Sequence, residues 1–173
     1  MALLLKEAGH ALAELIIVLA ILGIVLSVAN LSLEPATEQK VEAASTEIVD
    51  AIFFAQNEAL RTGKSVGVLF GEEATLGASR NMFTVFVQDS AGHRTVAGYP
   101  ATSRPYQVDL NQAPFGNGVS VASADFDRGH AVFFTGALGR AGTPSSSGQV
   151  TVSLGAVSRT VTVDAETGRI SRQ

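Results

Sequence analysis

The chain has 173 residues, 46% hydrophobic and 16% charged, a balance that fits one globular body plus an apolar segment and excludes a largely disordered chain. Its formal net charge of -4 and pI near 5.3 give no electrostatic reason to expect nucleic acid or anionic lipid as a main partner. The absence of cysteine removes disulfides, thiol catalysis and Cys-based zinc sites, so the body must hold together by packing alone.

The first feature in chain order is AGHALAELIIVLAILGIVLSVA, residues 8–29. From Leu15 to Ala29 its only polar side chain is Ser27, yet Glu14 stands at its front edge, where a charge near a bilayer core costs about 2.5–3.5 kcal/mol. A secretory signal peptide is one reading, with Lys6 as the positive end and Ser27-Val28-Ala29 as the cleavage site, releasing a soluble exported domain. An uncleaved anchor is another, since Leu12 to Leu33 approaches the ~20 residues that span ~30 Å of hydrocarbon. Neither gives Glu14 a task. Lys6 before the run and Glu34 and Glu38 after it favour a cytoplasmic N-terminus.

Residues 9–24, GHALAELIIVLAILGI, resemble the prepilin-type N-terminus of type IV pilins and type II secretion pseudopilins. The resemblance implies a leader of residues 1–9 and cleavage after Gly9 by a prepilin peptidase. The same enzyme would N-methylate His10, and Glu14 would be the fifth mature residue. The carboxylate of Glu14 then has a partner, the His10 amine of a neighbouring subunit. Removing one member of a buried pair costs about 3–5 kcal/mol, so the pair would set register during filament assembly. Leu15, Ile16, Ile17, Val18, Leu19, Ile21, Leu22, Ile24, Val25 and Leu26 would form the inner-membrane anchor. The sequence departs from the family at His10, Ala11, Leu12 and Ala13, where Phe, Thr and Leu usually lead and Ile precedes the acid.

A helix is predicted next. Val41, Ala44, Ile48, Ile52, Ala55 and Ala59 recur at three- and four-residue spacing, with Glu42, Glu47, Asp50 and Glu58 off the stripe. Pro35 should kink or interrupt it, and Gly63 suits its C-terminal cap. A continuous helix from His10 to Thr62 would be about 80 Å long. A stem projecting from a small domain has nothing of its own to bury against, which is the logic of a filament subunit.

From Ser65 the period becomes two. Val66, Val68 and Phe70, then Phe83, Val85 and Val87, then Val150, Val152 and Leu154 alternate as strands with one buried face. Residues 89–92, 127–129 and 155–156 punctuate them, the last joining QVTVSL to VSRTVTV as a β-hairpin. The expected fold class is α+β: a long N-terminal hydrophobic helix, residues 10–63, packed on an antiparallel β domain, residues 64–173. The segments FFAQNEALRTGKSVGV, FTVFVQDSAG, AVFFTGALGRAG and GQVTVSLGAVSRTVTVDAETGRIS look like the body of H-type minor pseudopilins and of FimT- and FimU-like minor pilins.

Candidate chemistry is sparse. There is no GxSxG or HExxH, and His93 and His130 adjoin turn glycines, where solvent exposure is expected. Residues 125–129, DFDRG, begin like a calcium loop but place Gly one position early and lack the bidentate Glu, so a turn is expected and no metal. Residues 136–142, GALGRAG, lack a strand-to-helix context and read with 143–148 as a mobile surface loop. Arg159 shares the alternation of Val157, Val161 and Val163 and should meet backbone carbonyls or an acid at the apolar margin. Arg169 and Arg172 follow Gly168, and in some FimT-like minor pilins such a tail takes up DNA. Here Asp164 and Glu166 dilute the charge, and a structural hairpin with a solvated tail is the simpler expectation.

Together these readings describe a minor pseudopilin with no enzymatic activity and no cofactor. It would assemble with other pseudopilins or pilins into a periplasmic filament that supports protein export, after processing by the prepilin peptidase and methyltransferase. A type IV minor pilin has the same architecture, and an exported soluble domain is the reading from a different class.

Overall fold

The computed structural model describes residues 14–23, 33–100, 102–112, 114–116, 118–126, 129–135, 140–141 and 147–173. Two units divide the chain, Met1–Thr37 and Glu38–Gln173. In the first, residues 14–23 form a helix, α1. The second helix, α2, runs Leu33–Thr62, so Pro35 falls in its first turn, where a missing N–H leaves no intrahelical bond unmade. The run from 24 to 32, where continuity with α1 would be decided, lies outside the described residues.

Residues Val41, Ala44, Ile48, Ile52, Ala55 and Ala59 are completely buried, as the stripe predicts, and Ala51 and Ser45 widen the buried face. Gly63 ends the helix with φ 68° and donates its N–H to Ala59 O at 2.9 Å, a left-handed cap that only glycine adopts without strain.

Among the described residues ten strands follow in two antiparallel sheets. One orders β3 (Arg94–Val96), β2 (Met82–Gln88), β1 (Ser65–Phe70), β6 (Ala131–Thr135) and β7 (Arg140–Ala141), with β4 (Gln107–Asp109) also on β2. The other orders β10 (Ile170–Arg172), β9 (Val157–Val163), β8 (Gly148–Leu154) and β5 (Ser120–Asp125). Because β1 takes one edge of β2, β3 at residues 86–88 and β4 at 82–84 share its other edge. The β8–β9 hairpin turns in two residues with Leu154 opposite Val157, and Gly155 supplies positive φ (62°) at the first turn position.

The main core lies where α2 meets both sheets. Val66, Val68, Phe83, Val85 and Phe134 come from the first sheet, and Val150, Val152, Val161 and Val163 from the second. One expectation is corrected: β1 is buried on both faces rather than one. Leu69, Leu76, Ala78, Phe86, Ala131 and Phe133 form a second cluster on the far side of the six-stranded sheet. Arg94 roofs it, its guanidinium 4.9 and 5.0 Å from the ring centroids of Phe86 and Phe133 and 2.6 Å from Glu73 Oε2. The loop expected over 136–148 is also shorter than predicted, since Arg140–Ala141 pair with Phe134 and Thr135 and Gly148 opens β8. Residues 136–139 and 142–146 lie outside the described residues.

Candidate functional site

Three features bear on function: the apolar helix α1, the clamp between α2 and the C-terminal strands, and the surface of the β unit. Glu14 opens the described part of α1 and is exposed. Behind it Leu15, Ile16, Ile17, Val18, Leu19, Ile21 and Leu22 are each 54–62% exposed. A helix apolar on every side needs an apolar surrounding. Fully burying seven such side chains is worth on the order of 10 kcal/mol at about 1.5–3 kcal/mol each. Among the described residues no helix is long and apolar enough to cross a membrane. Gly9 and His10, the expected processing site, and the anchor residues Ile24, Val25 and Leu26 lie outside the described residues.

Arg159 does meet an acid. Its Nε stands 3.4 Å from Glu42 Oε2, and its Nη1 donates to Ser158 O at 3.0 Å. Arg172 joins the same carboxylate from β10, with Nη2 2.6 Å from Glu42 Oε1 and Nη1 donating to Thr46 Oγ1 at 2.7 Å and to Ser45 Oγ at 3.5 Å. Glu42 therefore ties α2 to β9 and β10. The chain end is fixed as well, since Gln173 and Thr160 exchange two backbone bonds of 2.9 Å. From sequence Glu42 reads only as a residue off the helix stripe. The signal that pointed to it was Arg159, a cation on the apolar alternation.

The sequence pair Arg169 and Arg172 is thus differently employed. Arg172 spends its guanidinium on α2, whereas Arg169 is exposed beside a turn built on Asp164. Asp164 Oδ1 accepts from Thr167 Oγ1 at 2.6 Å and from Thr167 N at 2.7 Å, and these bonds hold its carboxyl below the usual range. Asp89 does the same in the β2–β3 turn, where the backbone N–H of His93 leads the causes that lower its pKa. Both predicted turn histidines are exposed: His93 faces Asp89 at 3.2 Å, and His130 Nδ1 lies 2.8 Å from Ala124 O. Phe126 and Gly129 close a tight turn through two backbone bonds, while Asp127 and Arg128 between them lie outside the described residues. Among the described residues no group of three His, Cys, Asp or Glu could hold a metal ion.

A helix packed on antiparallel sheets, with an apolar helix ahead of it, is the architecture of a pilin-like protein. Residues 44–168 match the type II transport protein GspH family, and the chain belongs to that family. It is similar to the type IV minor pilin FimU of Pseudomonas aeruginosa, with a TM-score of 0.52 and 14% identity over 78% of this chain and 89% of that one. It is also similar to the minor pseudopilin EpsH from the type 2 secretion system of Vibrio cholerae, with a TM-score of 0.53 and 10% identity over 78% and 96%. Identities this low speak for the fold alone. No curated protein sequence matches the chain. It is a pilin-like minor pseudopilin or minor pilin, and the two likenesses fall on either side of that division.

Proposed function

We propose that the chain is a minor pseudopilin of a type II secretion system, a single-pass inner-membrane subunit with its N-terminus in the cytoplasm and its β domain in the periplasm. Membership of the GspH family over residues 44–168 carries this reading. On it, the prepilin peptidase cuts after Gly9 and methylates His10. The apolar run anchors the subunit and then packs among neighbouring stems, and Glu14 pairs with a neighbour's amine. The chain does no chemistry of its own and supports export by assembling with other pilin-like subunits. The likeness to FimU supports the second reading, a minor pilin of a type IV pilus.

Deletion in the native cell separates the two. Loss of folded enzymes from the medium with pili intact is the expected result, and loss of surface pili with secretion intact would overturn the assignment in favour of the pilus. Within either machine, Glu14→Ala is expected to leave the subunit in the membrane fraction but outside the filament. A subunit that washes from membranes in carbonate would instead mark an exported soluble domain.

A further inference from the structure

The acids of this chain are unevenly paired. Glu42 holds Arg159 and Arg172, Glu58 holds Arg61, and Glu73 holds Arg94. Glu47 and Asp50 stand three residues apart on α2, where their side chains are neighbours, and among the described residues no cation pairs with either. Burial first, and then the like charge of Asp50, raise the Glu47 carboxyl above its ordinary pKa. The same field reaches Tyr106, whose hydroxyl is pushed up by burial first and then by Glu47, Tyr99 and Asp50. A half-buried carboxylate beside a like charge costs the isolated subunit stability, which a cation from outside would restore.

Glu47 also lines a groove of about 300 Å³ with Gln107, Asp109, Gln112, Pro114 and Phe115. Asp109 accepts from Asn111 N at 2.9 Å and from Gln112 Nε2 at 3.1 Å, neutral donors that leave its charge uncompensated. Gln107 Nε2 donates to Leu76 O at 2.7 Å and to Thr84 Oγ1 at 3.4 Å, so its remaining polar atom is an acceptor. Lys40 Nζ lies at Gly116, 3.3 Å from where a Cβ would stand, and makes no ion pair with these acids. The groove therefore offers acceptors and negative charge beside the apolar surface of Pro114 and Phe115. Phe54, one turn beyond Asp50, continues the face as an aromatic row, 5.3 Å from Tyr106, which is 4.5 Å from Tyr99. A long cationic side chain matches both parts, its stem on the apolar wall and its head on the carboxylates. A metal ion does not fit, since among the described residues no three His, Cys, Asp or Glu come together. Nucleic acid or an anionic lipid would be repelled.

We propose that the groove between α2 and β4, with Glu47, Asp50 and Asp109 as its charges, receives a lysine or arginine side chain of a neighbouring pilin-like subunit. The inference rests on the assembly reading above, which supplies the neighbour; the charge and shape of the groove select the side chain that enters. A photo-crosslinking amino acid at exposed Gln112, and separately at Leu19 in the apolar helix, tests it in the native cell, with the partner and the point of attachment identified by mass spectrometry. Both positions are expected to give products with pilin-like subunits, the one from 112 attached beside a lysine or arginine.

Glu47→Gln combined with Asp50→Asn keeps the shape and removes the charge. It should cut the yield from position 112 roughly tenfold or more while leaving that from position 19 unchanged. Its melting midpoint should be no lower than the parent's, because the acids lose no internal partner; a lowered midpoint would mark them as structural and overturn the inference. Products from position 19 without any from 112, a product from 112 attached away from any lysine or arginine, or a yield from 112 that the double variant leaves unchanged would also overturn it alone. No product at either position would overturn the assembly reading and this inference with it.

Discussion

Gly148 is the position where the smallest side chain has the largest predicted consequence. A Cβ added there would stand 1.9 Å from Phe126 Cδ1, 2.6 Å from Cε1 and 2.8 Å from Cγ, so the ring lies directly over the glycine. Phe126 is 5% exposed and stacks on Phe70 with centroids 5.7 Å apart and planes 15° apart. Gly148→Ala must therefore push the ring off Phe70. Overpacking of this kind costs about 1–3 kcal/mol, and full expulsion of the ring approaches the ~3–5 kcal/mol of a Phe→Ala change. For a chain of this size each kcal/mol moves the midpoint by about 2–4 °C, so the overpacking range alone predicts a fall of roughly 2–12 °C by thermal denaturation of the detergent-solubilised protein. The double variant with Phe126→Leu should lose less than the sum of the two single changes, because the shorter side chain vacates the contested space. A single Gly148→Ala change within about 0.5 kcal/mol of the parent, at the level of an ordinary surface substitution, would refute the packing argument.

Other consequences follow from the charged groups. Glu42→Gln leaves two guanidiniums without their carboxylate; since these side chains are 35–43% exposed, the loss should be only about 0.5–1.5 kcal/mol, with faster amide exchange in β10 as the local signature. Arg94→Ala uncovers Phe86 and Phe133 and leaves Glu73 with only its bond from Thr75 Oγ1, an expected loss of about 1–2 kcal/mol, with Arg94→Lys intermediate because an ammonium lacks the stacking plane.

Asp89 and Asp164 are held below the ordinary carboxylate pKa in the folded state, so the unfolded chain binds more protons in acid. Their contribution is present above about pH 4 and fades as pH falls through the lowered folded values. Burial raises Glu47, whose contribution has the opposite sign and fades as pH climbs past 4.5. The pair Asp89→Asn and Asp164→Asn, which keeps acceptors for the turn N–H groups, should flatten the drop in melting temperature between pH 6 and pH 3 that the parent shows.

The long periodic elements were legible because periodicity needs length. Val41 to Ala59 declared a helix face, Gly63 its end, and the runs at 150–154 and 157–163 a hairpin with its turn in place. The three-residue strands Arg94–Val96 and Gln107–Asp109 are too short to show any alternation. Their pairing is decided by the open edge of β2, a property of the tertiary fold. β5 hid for another reason: its small, half-polar residues are selected by a position at a sheet border. Burial of both faces of β1 was masked by Gly67, which reads as a weak strand residue, although a Cβ there would meet Val132 O at 2.5 Å and Phe86 Cζ at 2.8 Å.

Of the functional features, the apolar run and Glu14 were visible at once because they violate what a soluble surface permits. The Glu42 clamp was half visible, through Arg159. Arg172 was not, because its neighbours in sequence suggested a solvated tail and only the fold carries it to α2.

The most direct test of the assignment is the intact mass of the protein recovered from membranes, combined with N-terminal sequencing. A chain that begins at N-methylated His10 is the predicted result and makes Glu14 the fifth residue of a processed subunit. A chain that begins at Asn30 would mean that the apolar run served only for export, and would contradict the account.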